Sequence, residues 1–286
     1  MRRRILWIIA GVPLALITIA AGTAAALPMT RHIASALWNL PDGLPALPES
    51  SQVHFEPGAE DYAREVAALL PAAIARVEAA HGRAFAHPVT VGAYATPQAY
   101  VAANVIGSMQ PVGVAPFGRV VLSPVLSSQQ RRRLPAILTH EMSHAHLQGW
   151  ISAYAYVRLP NWFKEGLAVM VSGGGGAEFV GEAEARSAIE RGQHIAINDA
   201  GSVFNLSDIR FEREPPPGTG SHQIVTAYRQ AGMFVAWLHD SDAPGFARMM
   251  DKILAGSSFV EAVDIGYHQD VHSLWQKFAQ AEGTRK

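Results

Sequence analysis

Two histidines four residues apart, with a glutamate directly after the first, form the run His140-Glu141-Met142-Ser143-His144. In a helix, residues four apart lie one above the other on one face, so both imidazoles can hold a single zinc ion at about 2.0 to 2.1 Å. Glu141 points slightly around the helix from that pair. There it can take a proton from a water on the metal without using a coordination position. An open fourth position is what separates a catalytic zinc from a structural one. The chain has no cysteine, so a metal site must be built from His, Asp and Glu, and a disulfide framework or thiol nucleophile is excluded. A further carboxylate, Glu165, stands 21 residues after His144 within Asn161-Trp162-Phe163-Lys164-Glu165-Gly166-Leu167-Ala168.

These side chains need two helices to carry them. Apolar spacing predicts helices over Leu134–Gln148 and Asn161–Val171, and the 21-residue separation leaves room for a helix end, a loop containing Pro160 and an antiparallel return. Upstream, Gly58–Gly82 reads as a helix with Pro71 inside it, Val89–Thr96 as a strand, Gln98–Val105 as a short helix and Gly118–Pro124 as a second strand. Downstream, Ala177–Arg191 reads as helix. The chain from Ser221 onward is nearly all helical, with breaks near Pro244, Gly256 and Gly266. The run Gly173–Gly176 ends the Glu165 helix and supplies a loop. The order is a small mixed lobe followed by a helical lobe, in one α+β domain. His146 falls on another helical face from His140 and His144, so a hydrogen-bonded or partly exposed role is expected for it.

HEMSH at 140–144 taken with WFKEGLA at 162–168 resembles the gluzincin zinc peptidases, in particular the peptidase-MA-like group, which pairs H-E-x-x-H with a downstream W-[FL]-x-E-G-[LF]-A helix. The resemblance covers roughly Val89 to Tyr228. It implies a gluzincin-type fold with a small sheet lobe and a mainly helical C-terminal lobe. It also implies Zn2+ held by His140, His144 and Glu165, and hydrolysis of a peptide or protein substrate with Glu141 as general base. Gluzincins of similar layout place a tyrosine that stabilises the transition state on a helix after the third ligand, which implies that role for Tyr228. The small Ala231 and Gly232 on the same segment would let its helix approach another closely. The strand Arg119–Ser123 precedes the zinc helix, as does the edge strand along which many zinc peptidases bind extended substrates.

The sequence departs from the family pattern in two places. No G-x-M-E-N stretch precedes the zinc motif, so an aminopeptidase is not implied. Val169, four after Glu165, replaces an aspartate that could orient a zinc histidine. A metzincin would need Gly at 147 and His at 150, where the chain has Leu147 and Trp150. The alternative from another class is an envelope protein that binds metal or substrate on the same fold without turnover, and the intact Glu141 speaks against it.

Arg2, Arg3 and Arg4 precede an uncharged apolar run from Ile5 to Met29, which reads as a targeting segment over residues 1–30. The run is long enough for a hydrocarbon core of about 30 Å. It serves as an uncleaved signal anchor, or as a signal peptide cut after Ala24 and Ala26. Either places the rest of the chain outside the cytoplasm, in a periplasmic or extracellular position at the cell envelope. Pro41–Ser50 contains three prolines, so 31–52 is expected to be a linker and 53–286 the folded domain. With 23 Lys+Arg against 24 Asp+Glu, there is no clustered basic excess for phosphate backbones, and nucleic acid is excluded as a partner.

Overall fold

The computed structural model describes residues 28–202, 209–213 and 220–284. The expected targeting segment lies outside them, apart from its last residues, which open the first helix, α1 (Pro28–Trp38). Among the described residues, no helix is long and apolar enough to cross a membrane.

Five strands form one mixed sheet in the order β1-β2-β3-β5-β4, where β1 is Ala46–Leu47, β2 Ser50–Phe55, β3 Val91–Ala93, β4 Gly113–Val114 and β5 Val120–Leu122. The parallel strands β2, β3 and β5 form the middle, and β1 and β4 pair antiparallel at the edges. Every residue of β3 and β5 is buried, as expected of parallel strands covered on both faces.

Two expectations from the sequence need correction here. Residues 31–52 are not a linker. They fold into α1, a 3-10 turn at Pro41–Gly43, β1 and the start of β2. The prolines end α1 and shape the turn rather than keep the chain extended, Pro41 is buried, and Leu47 enters the core. Asp42 in the turn ties to the sheet, accepting from Arg119 Nε at 3.0 Å and Thr90 Oγ1 at 3.2 Å. The strand over Arg119–Ser123 is likewise not the edge. β5 is flanked by β3 and β4, and β4 is the edge strand on that side.

The helix α2 (Glu60–His81) crosses from β2 to β3. It buries Tyr62, Ala63, Val66, Leu70, Ala73, Val77 and His81 along one stripe and stops at Gly82, which takes φ 70°. Pro71 sits inside this helix on its exposed side. The helix α3 (Pro97–Ala103) is capped by the Thr96 hydroxyl. Next comes α4 (Leu134–Trp150), which differs in kind, being buried without interruption from Ile137 to Leu147. A helix buried all round is the centre of a fold. α4 packs against β4 and β5 on one side and against α2 and α6 (Asn161–Ser172) on others. The helix α5 (Ala153–Arg158), absent from the sequence reading, fills the return between α4 and α6.

The remaining helices are α7 (Glu182–Glu190), α8 (Gly220–Ser241), α9 (Ala243–Leu254), α10 (Phe259–Tyr267) and α11 (Val271–Thr284). The expected start of α7 at Ala177 is a loop to Gly181. The break expected near Gly266 falls at His268, which takes φ 53°. Gly266 itself lies inside α10, where a side chain would meet the Gly245 carbonyl oxygen of α9 at 2.8 Å. One continuous apolar core runs from Leu47 in the sheet to Phe278 in α11, so the sheet and the helices are parts of one body.

α6 crosses α8 closely. A side chain at Gly166 would stand 2.5 Å from the Ala231 carbonyl oxygen, and one at Gly232 would stand 2.4 Å from Val169 Cγ1. The close approach expected of Ala231 and Gly232 is therefore made to the helix that carries Glu165. Gly166→Ala should separate the two helices. The gain in helix propensity of about 1 kcal/mol should be outweighed by overpacking of roughly 1 to 3 kcal/mol. A lowered midpoint in denaturant titration is the expected result, and an unchanged or raised midpoint would show that the crossing has room for a methyl group.

Candidate metal centre

α4 and α6 bring His140, His144 and Glu165 together. One ligand atom from each lies within 4.8 Å of the others. The separations are 3.2 Å between the two Nε2 atoms, 3.2 Å from His140 Nε2 to Glu165 Oε2 and 3.4 Å from His144 Nε2 to the same oxygen. A tetrahedron with bonds of 2.0 to 2.1 Å has edges of about 3.3 to 3.4 Å. The three atoms form one face of such a tetrahedron, with side chains only 5%, 8% and 15% exposed. The donor set, two imidazoles and a carboxylate, suits a divalent ion of intermediate softness.

The ring nitrogens facing away from the cluster decide which tautomer each histidine adopts. His140 Nδ1 lies 2.8 Å from the Gly175 carbonyl oxygen, which can only accept, so Nδ1 carries a proton and donates it. In the neutral ring, the form that can bind a metal, this leaves Nε2 with its lone pair toward the cluster. The carbonyl is delivered by the Gly173–Gly176 loop, which ends α6 and crosses α4 closely. A side chain at Gly175 would meet the Ala136 carbonyl oxygen at 2.6 Å. The Ser172 hydroxyl accepts from Gly175 N at 2.8 Å, and Arg229 donates to the carbonyls of Ala177 and Val180, each at 2.8 Å. The loop is thus tied on both sides. His144 Nδ1 lies 3.2 Å from the Tyr156 hydroxyl of α5.

Burial opposes charge on His140, but the hydrogen bond to Glu165 and the carboxylates of Glu141 and Glu165 push its pKa up to about 9. Burial also works against ionising Glu165, yet the neighbouring His144 and His140 hold its carboxyl well below the usual range. The metal-free centre therefore keeps a charged His140–Glu165 pair. The His140 share of its stabilisation is complete below the unfolded histidine value and is lost as pH rises through about 9. The Glu165 share is present above the unfolded carboxyl value and is lost as pH falls.

Glu141, between the two histidines in sequence, is buried at 6% exposure and is not a member of the three-residue cluster. It faces the edge strand: a side chain at Gly113 of β4 would stand 2.9 Å from Glu141 Cγ and 3.1 Å from its Oε1. Burial, with Glu165 adding and the histidines opposing, raises its carboxyl pKa. Tyr228 on α8 stacks near-parallel to His140, with ring centroids 6.5 Å apart and planes 11° apart. Gly176 lies between them, where a side chain would be 3.2 Å from His140 Cε1 and 3.5 Å from Tyr228 Cδ2. All five residues singled out from the sequence therefore gather at one place. The sequence reading did not find Tyr156 or the Gly175 carbonyl.

Comparison with protein-family models, curated proteins and solved structures gave no match.

The opposite face of α4 carries a second polar group with a different character. His146 is fully buried, its Nε2 2.9 Å from the Arg83 carbonyl oxygen and its Nδ1 2.9 Å from His81 Nδ1, while His81 Nε2 lies 3.1 Å from Ser143 Oγ. Burial lowers the pKa of both histidines, so both are neutral. One proton order satisfies every atom: Ser143 donates to His81 Nε2, His81 Nδ1 donates to His146 Nδ1, and His146 Nε2 donates to the Arg83 carbonyl. This is a closed structural chain. It matches the hydrogen-bonded role expected of His146, but not partial exposure.

Two outcomes follow for the metal face. Glu165→Ala should release most bound divalent metal from the full chain, read by metal analysis after dialysis. Metal binding between pH 7 and 9 should also expel the proton shared by His140 and Glu165, about one per ion, with affinity rising as pH approaches 9. Calorimetry in buffers of different ionisation enthalpy measures that number, and release of no proton would contradict the charged pair.

Proposed function

We propose that this chain is a zinc metallopeptidase of gluzincin type, with His140, His144 and Glu165 as the metal ligands, Glu141 as general base and Tyr228 as a donor to the oxyanion. The observation that carries the reading is the near-equilateral triangle of ligand atoms, with a buried non-ligand carboxylate beside it and the edge strand β4 against that carboxylate. Zinc held there supplies Lewis acidity toward a water and a carbonyl oxygen.

Glu141 sits on the same helix as both histidines yet outside the ligand triangle, so its carboxylate can accept a proton from the attacking water and return it to the leaving amine. Its raised pKa brings it closer to the range in which proton transfer in both directions is efficient. Among the described residues β4 pairs through one edge only, with β5, and the other can pair with an extended peptide by backbone hydrogen bonds. Gly113 lets that backbone pass close to Glu141. Tyr228 lies across Gly176 from His140, on the helix locked to α6, so its position relative to the ligands is fixed by helix packing. The apolar run Ile5–Met29, preceded by three arginines, supports an exported domain at the cell envelope, held by an uncleaved anchor or released by cleavage.

The deciding experiment is metal analysis of the protein paired with cleavage of a broad peptide library. Glu141→Gln should keep the fold and the zinc while hydrolysis falls by roughly 10²- to 10⁴-fold, because the amide cannot accept a proton at neutral pH. Tyr228→Phe should lower kcat by about 10²-fold with zinc content intact. A Glu141→Gln protein as active as the parent would remove the general-base role. Stoichiometric zinc with no cleavage of any library member would favour a metal-binding envelope protein instead.

A further inference from the structure

His144 and His140 are oriented by different means. His140 leans on a backbone carbonyl that the Gly175 loop supplies, whereas His144 has a side-chain hydroxyl from α5, an element of six residues between the two metal helices. Tyr156 Oη lies 3.2 Å from His144 Nδ1. The position four after Glu165 holds Val169, which has no polar group with which to orient a zinc histidine.

Tyr156 is itself held. Ser152 caps α5 by accepting from Ala155 N at 3.1 Å, and at its other end Arg158 and Gly201 exchange two hydrogen bonds, 2.8 Å and 3.1 Å long. Over the ring stands Lys164, only 3% exposed, with its ammonium nitrogen 4.7 Å from the ring centroid. A buried cation against an aromatic face is a directional contact. Lys164 immediately precedes Glu165 on α6, so the residue that fixes the Tyr156 ring and the third ligand move together.

We propose that Tyr156 is the positioning residue of the metal centre, accepting the Nδ1 proton of His144 so that its Nε2 lone pair is aimed at the ion. The phenol does this as a neutral hydroxyl, the ordinary state of a tyrosine near neutral pH. Removing such a partner of a ligating histidine commonly weakens metal binding by about 10- to 100-fold. The inference rests on the metal-binding part of the function proposed above and is independent of hydrolysis.

The test uses the full chain and Tyr156→Phe, which removes one oxygen and keeps the ring under Lys164. Zinc affinity is measured by competition with a chromophoric chelator, the melting temperature is taken on the metal-free protein, and the ligand-field absorption is recorded on the cobalt-loaded protein. Expected are a zinc affinity about 10- to 100-fold weaker, a shifted cobalt spectrum and a metal-free melting temperature close to the parent's. In a His144→Ala background the same substitution should have no further effect on zinc affinity, since Tyr156 then has no ligand to orient. Parental zinc affinity in Tyr156→Phe overturns the inference while leaving the metal site standing. A weakened affinity matched by an equal loss of metal-free stability, or one that persists without His144, overturns it in favour of a structural role. A parent chain that binds no zinc overturns the metal reading and this inference with it.

Discussion

Between Ile137 and Leu147 no residue of α4 is more than slightly exposed, yet this stretch carries Thr139, His140, Glu141, Ser143, His144 and His146. Leaving one such group without a partner costs about 1 to 3 kcal/mol, more if it is charged, so the surroundings of the helix are dictated by what those side chains require. Thr139 returns to its own helix, donating to the Pro135 carbonyl at 2.9 Å. Ser143 and His146 are served by His81 at the end of α2. His140, Glu141 and His144 are left to the other face, where Glu165, Tyr156, Gly175 and Gly113 meet them.

The two polar faces of α4 solve the same problem differently. Around His81 every donor has an acceptor and every acceptor a donor, both histidines are neutral, and the chain closes on a backbone carbonyl. On the metal face the count differs: with the His144 Nδ1 proton given to Tyr156, as proposed, and the His140 Nδ1 proton to Gly175, two neutral Nε2 lone pairs and a carboxylate oxygen converge, an arrangement of acceptors alone. A proton on His140 relieves it partly by making an ion pair with Glu165, but one proton cannot serve three acceptors. A divalent cation can. Fully satisfied polar groups on one side of a helix, beside an excess of converging acceptors on the other, separate a structural cluster from a candidate binding site more sharply than the presence of histidines does.

Much of this was legible in the sequence, for reasons that differ between elements. The four-residue spacing of His140 and His144 fixes a shared face in any helix, so their meeting needed no tertiary information. Glu165 required it, and only the resemblance of its helix to a known pattern singled it out. Tyr228 was found the same way, and the small residues after it marked the crossing with α6 because close approach leaves a compositional trace. Tyr156 left none. It lies on six residues too short for a periodic signal, and its role depends on where α5 folds back. The misreading of 31–52 has a related cause: prolines announce an interrupted helix equally in a linker and in a packed turn, and burial of Pro41 and Leu47 decides between them only in three dimensions. The edge position was misplaced because β4 is two residues long and its order in the sheet does not follow the chain.

The same backbone approaches explain why the centre can be narrow without being soft. Gly113 brings the edge strand against Glu141, Gly166 brings α6 against α8, and Gly175 brings the loop against α4, each at a distance that a methyl group would not allow. What holds the functional side chains apart is main chain, which has fewer ways to relax than a ring of long side chains. The loop carrying Gly175 and Gly176 is placed between α4 and α8, tethered by Ser172 and Arg229 rather than hinged over an opening. A ligand entering along β4 would therefore meet groups already in position. The freedom needed for binding would have to come from the ligand or from the short edge strand itself, not from rearrangement of the metal helices.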